Sequence, residues 1–189
     1  MIRVFIAIEL PAELKELLRE VQSRMQGAGS KVRASWVRPE TMHLTLKFLG
    51  EVDEEDLELL TRALAGPSEK TAPFTLRSGA LGAFPSMRRP RSLWLAIEES
   101  GELQALRELI EEALFNLGFK GDKKNFTPHL TLCRIRSKES SMGISRAAER
   151  VKVEKKVAFV AQRFVLYKST LTPSGAVHSL ISEFPLTGS

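Results

Sequence analysis

The chain carries two copies of the four-residue sequence HLTL, one beginning at His43 and one at His129. Alternate side chains of a β-strand share a face, so each histidine points to the same side as Thr45 or Thr131. If two such faces meet across a cleft, the hydroxyls can hold phosphate oxygens. A neutral imidazole can then accept a proton from water while a protonated one supplies a proton to the leaving oxygen. These four residues are therefore our candidate catalytic residues for phosphodiester cleavage.

Neither HLTL motif itself contains a carboxylate, so we expect no metal site and favour acid–base catalysis without metal. Cys133 is the single cysteine, which excludes an intrachain disulfide and a zinc site built from cysteines. Strict alternation puts Cys133 on the same face as Thr131. We expect it to be a small buried or cleft-side residue and not a nucleophile.

Three matching blocks show that the chain is an internal repeat. Residues 5–9 read FIAIE and residues 94–98 read WLAIE, and each run has the length and composition of a strand. Each is followed by leucines at helical spacing, and then by one of the HLTL motifs. The blocks keep their order and nearly their separation. The repeat predicts two strand–helix–strand units related by a pseudo-twofold axis.

Further elements fill in around the repeat. Residues 53–64 predict a helix with Asp53 as its N-cap, and residues 145–153 predict a weaker one. Strands are expected at 74–84, 157–169 and 176–184, and a polar surface loop at 136–143. The fold class is therefore α+β: two pseudo-symmetric lobes, each an antiparallel sheet with helices on its outer face, enclose a central cleft. We expect residues 1–189 to form one domain.

Composition and charge are those of an ordinary globular protein. The chain has 189 residues, 43% hydrophobic and 27% charged, and its 28 Lys and Arg against 23 acids give a net charge of +5. A modest positive charge would help to attract a phosphate-bearing ligand. The apolar run at the N-terminus closes at Glu9, and no stretch approaches the roughly 20 apolar residues that cross a bilayer. We expect a cytoplasmic protein without a membrane segment, and nothing requires more than a monomer.

Paired His-x-Thr motifs in two similar halves resemble the 2H phosphoesterase superfamily. Within it, the chain resembles the RNA 2',3'-cyclic phosphodiesterases once named 2'-5' RNA ligases. The similar segments beyond the two motifs are residues 3–10, 36–39, 49–50, 82–85, 90–94 and 166–169, and the late Gly175. The resemblance thus covers nearly the whole chain.

The resemblance implies that His43 is the proton donor and His129 the proton acceptor, with no cofactor. The substrate would be RNA ending in a 2',3'-cyclic phosphate, or a small cyclic nucleotide, and the product a 2'-phosphomonoester. It also implies that Phe48 and Arg134 lie near the nucleotide. Strict alternation puts both on the opposite face from their histidines, so this role requires a twist or bulge in each strand.

Several alternatives stay open from sequence. The same site could join RNA ends through a 2'-5' linkage without ATP, by attack of a 2'-hydroxyl instead of water. The chain could also be an RNA-binding module without catalysis, or act on other cyclic phosphates or on 2'-5' oligoadenylates. The loop with Arg88, Arg89 and Arg91 could steer RNA or could simply be solvated. His178 lies outside the repeat, and we expect it to be structural or exposed.

Overall fold

The computed structural model describes residues 1–28, 33–121, 125–173 and 175–189. These residues form nine strands and four α-helices. In chain order they are β1 (Ile2–Glu9), α1 (Ala12–Ala28), β2 (Ala34–Trp36), β3 (His43–Val52), α2 (Leu57–Glu69), β4 (Phe74–Phe84), β5 (Ser92–Ile97), α3 (Gly101–Phe115), β6 (His129–Ile135), α4 (Lys138–Arg150), β7 (Ala158–Ala161), β8 (Arg163–Thr172) and β9 (Gly175–Pro185).

The strands form two antiparallel sheets, as the α+β prediction requires. One sheet has the order β3-β1-β8-β9 and the other the order β2-β6-β5-β4-β7. Every paired neighbour is antiparallel. Apart from β2, the two orders correspond strand for strand. The first strand and the motif strand of each repeat are neighbours, β1 with β3 and β5 with β6. The pseudo-twofold relation predicted from the repeat is therefore present in the sheets.

Each repeat contributes its helix to the opposite lobe. Helix α1 packs with α4, and Gln22 of α1 donates a hydrogen bond to a carbonyl of β6. Helix α3 packs with α2, and Arg107 of α3 donates to a carbonyl of β3. The lobes are consequently not the two repeat units. Each lobe combines the first strand and the motif strand of one repeat with the first helix of the other, so the two halves depend on each other for burial of their apolar faces.

Three predicted boundaries differ from the structure. The segment at 136–143 is not a loop: α4 begins at Lys138, because the Ser137 hydroxyl accepts a hydrogen bond from the Ser140 amide and caps the helix. Helix α2 begins at Leu57, after a 3-10 turn over Glu54–Asp56. The strand predicted at 157–169 is two strands, because β7 pairs in one sheet and β8 in the other.

Buried apolar side chains from both sheets form one contiguous cluster. The assignment of residues 1–189 to one domain stays a prediction. Within the described ranges, every helix is too short or too polar to cross a bilayer.

Candidate active site

The two motif strands meet at a cleft of about 690 Å³ between the sheets. The four residues selected from the repeat, His43, Thr45, His129 and Thr131, all line it. The leucine that follows each of these four residues is buried, on the opposite face of its strand. The structure therefore brings together the two histidines and two threonines that strand alternation placed on one face of each motif strand.

A β-bulge interrupts β3 immediately after its motif. Ala7 of β1 pairs with Thr45, but the preceding Ile6 pairs with Lys47, so that Leu46 is the extra residue. Leu46 and Lys47 are both buried as a result. The extra residue shifts the alternation by one position. Phe48 therefore lies on the cleft side with His43, and its side chain is 67% exposed.

The same bulge occurs at the same place in β6. Trp94 of β5 pairs with Thr131, while Leu93 pairs with Cys133, so that Leu132 is the extra residue. Arg134 consequently lies on the cleft side. A position of Phe48 and Arg134 near the nucleotide required a bulge in each motif strand. Both bulges are present, one in each repeat.

The second bulge corrects the expected orientation of Cys133. Strict alternation placed it on the face of Thr131, but the extra residue turns it to the core, where it is fully buried. Burial raises the pKa of the Cys133 thiol to about 11. A buried thiol that stays protonated is a poor nucleophile, which agrees with its expected structural role.

Backbone carbonyls fix the orientation of both catalytic candidates. The Nδ1 atom of His43 lies 3.0 Å from the Thr41 carbonyl oxygen, and that of His129 lies 2.6 Å from the Thr127 carbonyl oxygen. A carbonyl only accepts, so Nδ1 carries the proton in each neutral ring. Nε2 is then the nitrogen available to a ligand on both histidines. A neutral Nε2 accepts a proton, and a protonated one donates it.

Aromatic rings surround the partly buried side chain of His43. Its ring stacks on Phe5 at 4.6 Å between centroids, and the ring of His178 lies edge-on at 5.1 Å between centroids. Burial, with a smaller contribution from the charge of His178, lowers the pKa of His43 to about 4. His43 is therefore neutral at pH 7 unless an anion next to it restores the proton.

Aromatic side chains also flank His129. Its ring centroid lies 5.1 Å from Phe84 and 5.7 Å from Trp94. Trp94 holds the place in the second repeat that Phe5 holds in the first, so the repeat supplies an aromatic neighbour to each histidine. The Trp94 ring lies directly over Gly82 of β4, where a Cβ atom would be 2.0 Å from Cη2. Only glycine at this position leaves room for the ring.

We expect Gly82→Ala to displace Trp94 and disturb His129. The added methyl overlaps the ring, and overpacking of this kind costs about 1–3 kcal/mol of the free energy of unfolding. Thermal unfolding, together with the NMR signal of the His129 ring, measures both effects. Gly66→Ala in α2 is the matched control, because a Cβ there meets nothing within 4 Å. Equal melting temperatures and an unmoved His129 signal in both variants would contradict the argument.

The structure places His178 in the cleft, which the sequence did not indicate. It lies on β9 outside the repeat, and the β8–β9 hairpin carries it to His43. Its Nδ1 atom is buried without a hydrogen-bond partner among the described residues. No pattern in the sequence marks this residue, since only the pairing of β9 in the sheet brings it to the site.

Basic residues at the cleft also differ from those singled out in the sequence. Arg88, Arg89 and Arg91 are exposed in the turn between β4 and β5 and do not line the cleft. The arginines that line it are Arg3, Arg38 and Arg134. Within the described ranges, no group of three or more His, Cys, Asp and Glu side chains is placed to hold a metal ion.

Comparison with known proteins identifies the family. The family model described as "LigT like Phosphoesterase" matches the chain twice, at residues 8–94 and 95–178. Each match contains one HLTL motif.

Relatives and solved structures agree with this match. The chain is 34% identical to an RNA 2',3'-cyclic phosphodiesterase of Methanocaldococcus jannaschii, over 96% of this chain and 99% of that protein. It is also 34% identical to the protein of the same name from Archaeoglobus fulgidus, over 96% and 99%. A crystal structure from Thermus thermophilus superposes with a TM-score of 0.79 at 28% identity, and Escherichia coli LigT complexed with 3'-AMP with 0.73 at 26%, each covering 98% of both chains. The chain belongs to the LigT-like phosphoesterase family.

Proposed function

We propose that this protein hydrolyses RNA-terminal 2',3'-cyclic phosphates to 2'-phosphomonoesters by proton transfer between two histidines, without a metal. The observation that carries the proposal is the pair of equivalent His-x-Thr faces on one cleft, each followed by the same bulge. The curated relatives that cover almost the whole chain carry the name RNA 2',3'-cyclic phosphodiesterase. Binding of 3'-AMP to Escherichia coli LigT supports a nucleotide as the ligand class.

In this mechanism the cyclic phosphate lies between the two strands, and the hydroxyls of Thr45 and Thr131 donate to its non-bridging oxygens. Neutral His129 accepts a proton at Nε2 from a water that attacks phosphorus. The bond from phosphorus to the 3' oxygen breaks, and that oxygen takes a proton from Nε2 of His43. The phosphate stays on the 2' oxygen. The family resemblance assigns donor and acceptor, since the pseudo-symmetric geometry treats the two histidines alike.

The low pKa of His43 links its donor role to the substrate. Neutral His43 has no proton to give at Nε2. A phosphate anion next to the ring favours the charged imidazolium and raises its pKa. The substrate therefore brings about the protonation that its own cleavage needs. Arg134 adds a positive charge on the cleft side, and Phe48 offers an exposed ring on which a base can stack.

The test is to incubate the protein, in the presence of EDTA, with a short RNA ending in a 2',3'-cyclic phosphate. We expect a product ending in a 2'-phosphate, with no requirement for added metal or ATP. An identical RNA ending in a 3'-hydroxyl is the control for other nuclease activity. A 3'-phosphate product would keep the two-histidine site but overturn the assignment of the 3' oxygen as the leaving group. A cyclic end that survives intact would contradict the substrate class, and a joined RNA would show ligation instead of hydrolysis.

A further inference from the structure

Each bulge is held by a buried side chain from the helix of the other repeat. In the second motif strand, Gln22 of α1 donates through Nε2 to the carbonyl of the bulged Leu132 at 2.9 Å and to that of Val37 at 2.7 Å. The Val37 amide donates to the same Leu132 carbonyl at 2.9 Å. Gln22 is buried and does not line the cleft. Its amide group is therefore committed to the backbone at the bulge.

The first motif strand is held in a related way by α3. Arg107 donates through Nε to the carbonyl of the bulged Leu46 at 3.4 Å, and through Nη2 to Glu111 at 3.1 Å. Glu111 forms a salt bridge of 2.8 Å with the buried Lys47, the residue next to the bulge. Lys47 also donates to the Lys120 carbonyl at 3.0 Å. A largely buried network thus joins α3 to the bulge of β3.

The two contacts are related by the repeat. Gln22 and Glu111 occupy equivalent positions in their helices, counted from the matching Glu9 and Glu98. Burying an amide or a charge is costly unless it is hydrogen-bonded, and a leucine would fill either position at less cost. Gln22 is buried at this position and the Glu111 side chain is only 20% exposed, and both groups bond at or beside a bulge. This recurrence indicates a role beyond packing.

We propose that Gln22 and the Arg107–Glu111 pair are positioning residues that hold the two bulges and so keep Arg134 and Phe48 on the cleft side. Without the extra residue, strict alternation turns both side chains away from the histidines. Gln22 acts on Arg134 through Leu132, and Arg107 acts on Phe48 through Leu46. The kinetic consequences rest on the proposed function, whereas the hold on the backbone does not.

The test uses Gln22→Met, which keeps the length of the side chain and removes its donors. Removing one partner from the charged network of α3 can unfold the chain, so the neutral Gln22 is the better target. Gln26→Met, one turn further along α1 and exposed, is the matched control. In Gln22→Met we expect faster amide hydrogen exchange at Val37, and an increase in KM of about tenfold with kcat nearly unchanged, because the site loses only a binding group.

A double-mutant cycle tests whether Gln22→Met changes KM through Arg134. In an Arg134→Ala background, Gln22→Met should change KM by less than about twofold, because residues that act as one unit are not additive. In a Phe48→Ala background, its effect should stay near tenfold, because that side chain depends on the other bulge.

Equal effects of Gln22→Met in the two backgrounds would overturn the positioning role. A lower melting temperature with unchanged KM and unchanged exchange at Val37 would do the same, since it would leave Gln22 a packing residue only. The exchange measurement needs no substrate. If the wild-type protein leaves the cyclic phosphate intact, the proposed function fails, and protection of the Val37 amide still decides whether Gln22 holds the bulge.

Discussion

Replacing either His43 or His129 by alanine is expected to lower turnover of an RNA 2',3'-cyclic phosphate by roughly 10²- to 10⁴-fold, the usual size of one lost general acid or base. Each imidazole presents one Nε2 atom to the ligand, because its Nδ1 is bonded to a backbone carbonyl. Loss of that atom removes the proton transfer that the proposed mechanism assigns to it. Single-turnover kinetics, at enzyme concentrations high enough to saturate the RNA, measures the loss in the chemical step.

Both alanine variants should stay folded. The two histidines are only partly buried and each makes one hydrogen bond to a nearby carbonyl, so circular dichroism should match that of the wild type. Arg89→Ala, in the exposed turn outside the cleft, is a control for substitution of a basic residue and should turn over normally. Full activity in either folded histidine variant would contradict the two-histidine mechanism.

The affinity of the cleft for sulfate is expected to fall about tenfold for each pH unit as the pH rises above about 4, since anion binding and protonation of His43 are linked. Above that pH, His43 is neutral in the free protein and must take up a proton when the dianion binds. The slope ends where the pH reaches the raised pKa of His43 in the complex. Sulfate keeps its own charge over this range, so the slope reports the protein.

Isothermal titration calorimetry from about pH 4.5 to 7.5 measures the slope, and NMR of the imidazole measures the pKa of His43 with and without sulfate. His43→Ala is the control. Its plot of log affinity against pH should be shallower by one unit, because it takes up one proton fewer when sulfate binds. An affinity that does not change with pH, or a His43 pKa that sulfate leaves in place, would show that a bound anion does not cause the protonation of His43 that the donor role requires.

Much of the architecture could be predicted because it depends on local pattern. The strand around residues 5–9, the helix that follows it and the HLTL strand each have their own periodicity, and their recurrence predicts the pseudo-symmetry. The prediction was wrong at 136–143, where a serine cap and a short apolar face outweigh a polar composition. It also missed that each first helix lies against the other repeat, because the sequence does not say which sheet an amphipathic face covers.

The sequence by itself determined the composition of the candidate site: two histidines and two threonines on equivalent strands, with the periodicity that puts them on one face. Only the tertiary structure decided the surroundings that tune them. The bulges at Leu46 and Leu132 exist as mismatches between paired strands, and they turn Phe48 and Arg134 toward the cleft. The low pKa of His43 comes from burial among groups remote in sequence, His178 included. Alternation is a property of one strand, whereas register and desolvation are properties of the assembled chain.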